Sequence, residues 1–226
     1  MIVNNSLEET IDAYGDDHVG SSATTPLRAN AFELSNPKKV ELIQEKVAEI
    51  LEILGMDLTD DSIKGTPNRV AKMYVNEIFG GLHPDKKPKA STFSNKYKYG
   101  EILVEKNITL YSTCEHHLLP IVGKAHVAYI SKGTVVGLSK MNRIVQYYAQ
   151  RPQVQERLTI QIVEELKQVL GTEDVACVID AKHLCVNSRG IRDISSSTIT
   201  SEFGGAFKNK ETKREFLDYI QLDTEF

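Results

Sequence analysis

Within Ser112-Thr113-Cys114-Glu115-His116-His117, four consecutive positions hold one of the chain's three cysteines and two of its six histidines. Cys114 and His117 stand three apart, a spacing at which a thiolate and an imidazole on one turn can reach a single metal ion. A second cluster, His183-Leu184-Cys185, lies far downstream. In an extended strand, side chains two apart share a face, so His183 and Cys185 are expected to look into one cavity. Cys114, His117 and Cys185 would give zinc three protein ligands and leave a fourth position open, as catalytic sites do. The alternative is a closed structural cage completed by Cys177. If Cys177 and Cys185 shared one extended strand they would lie about 27 Å apart at ~3.4 Å per residue. Cys177, in Val-Ala-Cys-Val-Ile, is therefore read as a small core residue. His116 and His183 remain beside the ligands as candidates for proton transfer, because imidazole titrates near neutral pH. Either could instead orient a ligand or bond the backbone.

Three further groups could bind a substrate. In Ser139-Lys140-Met141-Asn142-Arg143, a helix start with free backbone N–H groups stands beside Lys140 and Arg143, three apart, which together would cradle phosphate. Arg69 and Lys72 form a similar pair on an earlier helix, and Arg189 in Ser-Arg-Gly is another anion candidate or a surface charge at a turn. Gln155-Glu156 falls in a first helical turn, where a carboxylate suits the helix dipole. A carboxylate can also accept from both the ring N–H and the exocyclic amine of guanine, a match that adenine does not offer.

These residues need elements to carry them. The chain has 226 residues, 41% of them hydrophobic, enough for one substantial core. With 27 basic and 31 acidic residues the net charge is -4, which provides no general field for nucleic acid, so any anion site must be local. Residues 1–20 carry acids and no apolar segment of the signal-peptide kind, and no run reaches membrane-spanning length, so a cytoplasmic protein is expected. Three cysteines point to reduced thiols rather than a disulfide framework.

Residues 1–36 read as a flexible N-terminal arm. A helical region follows over 37–98. Its first helix is capped at Asn36-Pro37, carries Val40, Ile43, Val47, Ile50, Leu51 and Leu54 on one face, and ends at Gly55. The second starts at Thr66-Pro67, buries Val70, Met73, Tyr74 and Ile78, and stops at Gly80-Gly81. Leu82 to Gly100 is expected to be a loop. From 99 to 226 the pattern changes to strands at Glu101–Thr113, with Ile102, Val104, Ile108 and Leu110 alternating, and at Val122–Ile130. Helices capped by Ser139 and started by Pro152 come next, the latter lined by Val154, Leu158, Ile162, Leu166, Val169 and Leu170 and closed by Gly171. Strands at Val175–Leu184 and Ile191–Thr200 and a helix over Glu211–Ile220 complete a β-β-α-α-β-β order, an α+β class.

Read together, Ser-Thr-Cys-Glu-His-His, Gly-Lys-Ala-His-Val-Ala-Tyr-Ile, Gly-Leu-Ser-Lys-Met-Asn-Arg-Ile-Val, Gln-Arg-Pro-Gln-Val-Gln-Glu-Arg-Leu-Thr and His-Leu-Cys-Val-Asn-Ser-Arg-Gly resemble the GTP cyclohydrolase I family. The resemblance runs from about Asn36 to Phe216. It implies the tunnelling fold, assembled into a ring and forming a decamer of two stacked pentamers with active sites at subunit contacts. It also implies zinc on Cys114, His117 and Cys185, proton transfer by His116 and His183, and guanine recognition by Gln155 and Glu156. Triphosphate binding would fall to Ser139, Lys140, Arg143 and Arg189 and, from a neighbouring subunit, Arg69 and Lys72. The implied reaction is hydrolytic opening of the purine five-membered ring of GTP to 7,8-dihydroneopterin triphosphate and formate, the first step toward folate or biopterin. Val186-Asn187-Ser188 departs from relatives that often carry methionine or basic residues before the Arg-Gly. Two rivals are another tunnelling-fold enzyme acting on a pterin or deazapurine, and a non-catalytic zinc-stabilised module.

Overall fold

A computed structural model describes residues 21–89 and 91–223; most of the expected N-terminal arm, 1–20, lies outside them. Helix α1 spans Asn36–Ile53. Its cap is Ser35 rather than Asn36: the Ser35 hydroxyl accepts from the Lys38 N–H, which leaves Asn36 and Pro37 inside the first turn. Gly55, at φ +84°, closes the helix as expected. None of the apolar residues of α1 is fully buried, and Ile50 and Leu54 are 56% and 70% exposed, so the described residues leave much of the stripe uncovered. Helix α2, Thr66–Met73, widens into a π-turn over Tyr74–Ile78 before Gly80-Gly81. Pro67 and Ala71 are its buried residues; Val70, Met73, Tyr74 and Ile78 are half-buried.

The segment expected to be a loop contains a short strand, β1 (Thr92–Ser94), which pairs antiparallel with β4 (Thr134–Val136). Strands β2 (Ile102–Cys114) and β3 (Pro120–Ile130) form a long hairpin with one irregularity. Glu105 faces Val127, but Ile108 faces Ala125, so β2 holds one extra residue there, with Asn107 at φ +60°. An extra residue reverses which face later side chains take. Ile102 and Val104 accordingly pack with Phe207 and Phe216, whereas Ile108 and Leu110 pack on the opposite side. The alternation read from sequence had put all four on one face.

Helix α3 (Leu138–Ala149) is capped at Gly137, and Ser139 lies within its first turn instead of capping it. Pro152 does not start the next helix. Pro152–Gln153 forms β5, parallel to the end of β2, with Thr113 opposite Pro152 and Cys114 opposite Gln153. Helix α4 then runs over Gln155–Leu170 and closes at Gly171, φ +65°, in the left-handed geometry that glycine favours. Strand β6 is Val175–His183, α5 is a single turn over Leu184–Asn187, and β7 is Thr198–Phe203, later than expected. Helix α6 (Lys210–Gln221) is capped by Asn209.

The main sheet has the order β5-β2-β3-β6-β7. One face carries α3 and α4 over a core that includes Leu110, Ile121, Val127, Met141, Ile144, Leu158, Ile162, Leu166 and Ile179. The other face carries α6 through Phe207 and Phe216. The β-β-α-α-β-β order therefore holds, with short strands added. Among the described residues no helix is long and apolar enough to cross a membrane.

The β3–β6 pairing tolerates no side chain at Gly123. A Cβ there would lie 2.1 Å from the Asp180 carbonyl oxygen and 2.5 Å from Ala181 Cα. Gly123→Ala is expected to lower stability by about 1–3 kcal/mol, as other overpacked sites do, read as an earlier midpoint in chemical denaturation.

Candidate active site

Cys114 is the last residue of β2 and is buried. The turn after it is tied at both ends: Cys114 N–H donates to Leu119 O at 2.8 Å and Leu118 N–H to Cys114 O at 2.9 Å. Beside the turn, Glu115 N–H donates to Gln153 O at 3.0 Å. The Glu115 carboxylate grips Arg157 of α4 through two contacts of 2.6 and 3.2 Å, and the Arg157 side chain is almost wholly buried. This frame holds His117. From the other side, β6 ends with His183 opposite Ile121 of β3, and the α5 turn then carries Cys185 inward. Cys185 is thus on a helical turn, not on the strand alternation read from the sequence. The ligand atoms of Cys114, His117 and Cys185 all lie within 4.8 Å of one another.

That donor set suits a metal ion. Two sulfurs on one tetrahedral zinc stand roughly 3.8 Å apart, given bonds of ~2.3 Å, so a group this tight needs little rearrangement. Burial, together with the neighbouring Cys114, pushes the Cys185 thiol up to about 11. A cation joining Cys185 would favour its thiolate against that burial. His117 is held below its ordinary value by burial and by Arg189 and His116. Arg189 Nη1 lies 3.1 Å from His117 Nε2, and a guanidinium only donates, so this nitrogen presents a lone pair. Cys177 lies apart from the group, fully buried on β6 opposite Val127, where burial raises its thiol. Because β6 ends before Cys185, the two cysteines do not share a strand, and the 27 Å strand argument is replaced by this burial.

A cavity of about 440 Å³ opens beside the cluster, lined by Cys114, His116, Gln153, Gln155, Glu156, His183 and Cys185. His116 Nδ1 lies 3.8 Å from Cys114 Sγ. His183 Nε2 lies 2.7 Å from Gln155 Oε1, and burial lowers the proton affinity of His183 against the opposing pull of Glu156. Glu156 is exposed in the first turn of α4, where the helix dipole favours its charge.

The basic residues are distributed differently. Arg189 reaches the metal cluster through His117. Lys140 and Arg143 instead line a separate cavity of about 280 Å³ that also holds Lys86 and Lys89, and Ser139 is exposed on the same helical turn. Arg69 contacts Ser62 O and Thr66 Oγ1 at 3.4 Å, and Lys72 is exposed on α2. Sequence reasoning missed Gln153, Arg157, Lys86 and Lys89. Gln153 and Arg157 sit inside a motif already singled out, but their roles arise from the β2–β5 pairing and from the Glu115 contact, which no local spacing encodes.

A sequence profile described as GTP cyclohydrolase I matches residues 43–221. The GTP cyclohydrolase 1 of Flavobacterium johnsoniae is 72% identical over 225 residues, covering 100% of both chains. That of Klebsiella pneumoniae subsp. pneumoniae is 52% identical over 204 residues, 90% of this chain and 92% of the relative. That of Salmonella arizonae is 51% identical over 217 residues, 96% and 98% respectively. With the profile spanning most of the sequence and a relative this similar along its whole length, the chain belongs to the GTP cyclohydrolase I family.

Proposed function

We propose that the chain opens the purine five-membered ring of GTP in the cavity beside Cys114, His117 and Cys185, yielding 7,8-dihydroneopterin triphosphate and formate. The observation that carries this reading is the gathering of those three donors within 4.8 Å of one another, with His116, His183 and Glu156 lining the same cavity. Cys114, His117 and Cys185 would hold zinc, since two thiolates and an imidazole match its preferences and three protein ligands leave one position open. Bound there, zinc supplies the Lewis acidity that makes water nucleophilic near neutral pH. His116 and His183 are assigned proton transfer. Burial lowers the proton affinity of His183, against the opposing pull of Glu156. Glu156 is assigned the two-point match to the guanine edge, with Gln155 beside it.

Arg189 is assigned to the triphosphate. Ser139, Lys140 and Arg143, and Arg69 with Lys72, lie outside the metal cavity of their own chain, so we infer that they serve the cavity of a neighbouring copy. This agrees with a tunnelling fold assembled into a ring, a decamer of two stacked pentamers. In that assembly residues 37–98 form a helical region, much of whose α1 stripe the described residues leave uncovered, and residues 99–226 form the catalytic unit. The product would feed folate or biopterin synthesis in the cytoplasm.

Purified protein is expected to hold one zinc per chain by elemental analysis and to lose it in Cys185→Ser; wild-type protein that binds no metal contradicts the proposal. Zinc-loaded protein given GTP should release formate and a product that becomes fluorescent neopterin on oxidation, and neither appearing sinks the assignment. Glu156→Ala should abolish turnover while zinc stays bound. Arg157→Met leaves Glu115 half-buried without its guanidinium, so stability should fall by about 3–5 kcal/mol in denaturant titration, with weaker zinc retention.

A further inference from the structure

Gln155 is 1% exposed, and its side chain is committed inside the chain. Its Nε2 lies 3.1 Å from Ile179 O, 2.9 Å from Thr198 O and 3.1 Å from Thr200 Oγ1. The two carbonyls only accept, so the amide nitrogen must face them; the flipped amide would set oxygen against oxygen twice. The hydroxyls agree with this orientation. Thr159 Oγ1 lies 2.8 Å from Gln155 O and donates to it, which uses its only hydrogen. Thr200 Oγ1, 2.7 Å from Thr159 Oγ1, must then be the donor of that pair, leaving its oxygen as an acceptor beside Gln155 Nε2, whose two hydrogens are shared among it and the two carbonyls. With the nitrogen fixed, Oε1 faces His183 Nε2 at 2.7 Å. An amide oxygen only accepts, so His183 Nε2 carries a hydrogen, and Nδ1 is left for the cavity that His183 lines.

We propose that Gln155 is a positioning residue that locks the His183 ring in its Nε2–H form and in one orientation, which leaves Nδ1 as its bare ring nitrogen. The inference rests on the assignment of proton transfer to His183 under the proposed function. The lock spans three elements, since Gln155 and Thr159 are on α4, Ile179 on β6, and Thr198 and Thr200 on β7. It therefore fixes the ring's orientation as well as its tautomer.

The test is solid-state nitrogen NMR of the whole zinc-loaded protein labelled on histidine, with the His183 signals assigned by their loss in His183→Asn. In neutral His183 the expected spectrum shows Nε2 protonated and Nδ1 bare; the reverse overturns the proposal, whether or not any variant folds. In Gln155→Leu, kcat should drop about 10- to 100-fold with KM for GTP within about 2-fold, and the His183 signals should become a mixture of tautomers. A raised KM with unchanged kcat and an unchanged His183 spectrum would make Gln155 a guanine contact and overturn the inference. Full turnover in His183→Asn would instead remove the proton-transfer assignment itself, a failure visible separately from the tautomer result.

Discussion

The register between β3 and β6, which sets Ile121 opposite His183, is the constraint on which the site depends. β3 begins directly after the Cys114–His117 turn, and β6 ends directly before Cys185, so this one pairing brings two segments from distant parts of the sequence to the same end of the sheet. A slip of one residue would send His183 to the opposite face and carry the α5 turn with it. Gly123 helps exclude that slip, because β6 backbone approaches it too closely for any side chain. The core beneath supplies the resistance: Ile121, Val127, Cys177 and Ile179 are all fully buried between the sheet and the α3–α4 layer, and every one would be displaced.

Around the sulfur and imidazole donors the interior is unusually polar. Gln153, Gln155, Arg157 and Thr159 are all buried on or next to the first turns of α4. Buried polar groups of this kind are tolerable only when paired, and here most are paired to backbone across elements. The Arg157–Glu115 grip ties α4 to the metal turn, and the Gln155 contacts tie α4 to β6 and β7. The exception is Gln153, whose amide nitrogen is engaged by Tyr148 O and Gln161 while its buried Oε1 has no partner among the described residues. An unmet acceptor lining the same cavity as Cys114 is a cost of about 1–3 kcal/mol that a core would normally remove.

Much of this was legible in the sequence because it is written locally. Pro37, Gly55, Gly171 and the 3.6-residue pattern from Leu158 to Leu170 announce helices that the chain forms. The Cys114, His117 and Cys185 grouping was also visible, since each residue type has few other reasons to cluster. What failed was written in partners. The extra residue near Asn107 shows only against β3, and it turned a regular alternation into two half-strands facing different layers. Pro152 looks like a helix start until Thr113 and Cys114 are available to pair with it. Cys185 reached the cavity by a helical turn instead of an alternating strand, so its grouping with Cys114 and His117 was read through the wrong local geometry.

The division between the metal cavity and the cationic cavity has an electrostatic logic. Sulfur donors must lose protons to hold a divalent ion, and the nearby charge of Arg189 favours that loss at Cys185 against the cost of burial. Keeping Lys86, Lys89, Lys140 and Arg143 in their own cavity leaves Arg189 as the basic side chain in contact with the donor cluster. Arg189 meets the His117 Nε2 lone pair there. On the proposed reading, further positive charge for the triphosphate, beyond Arg189, comes from a neighbouring copy. Within one chain, then, the sulfur donors lie at one end of the sheet and Lys140 and Arg143 line a separate cavity beside α3.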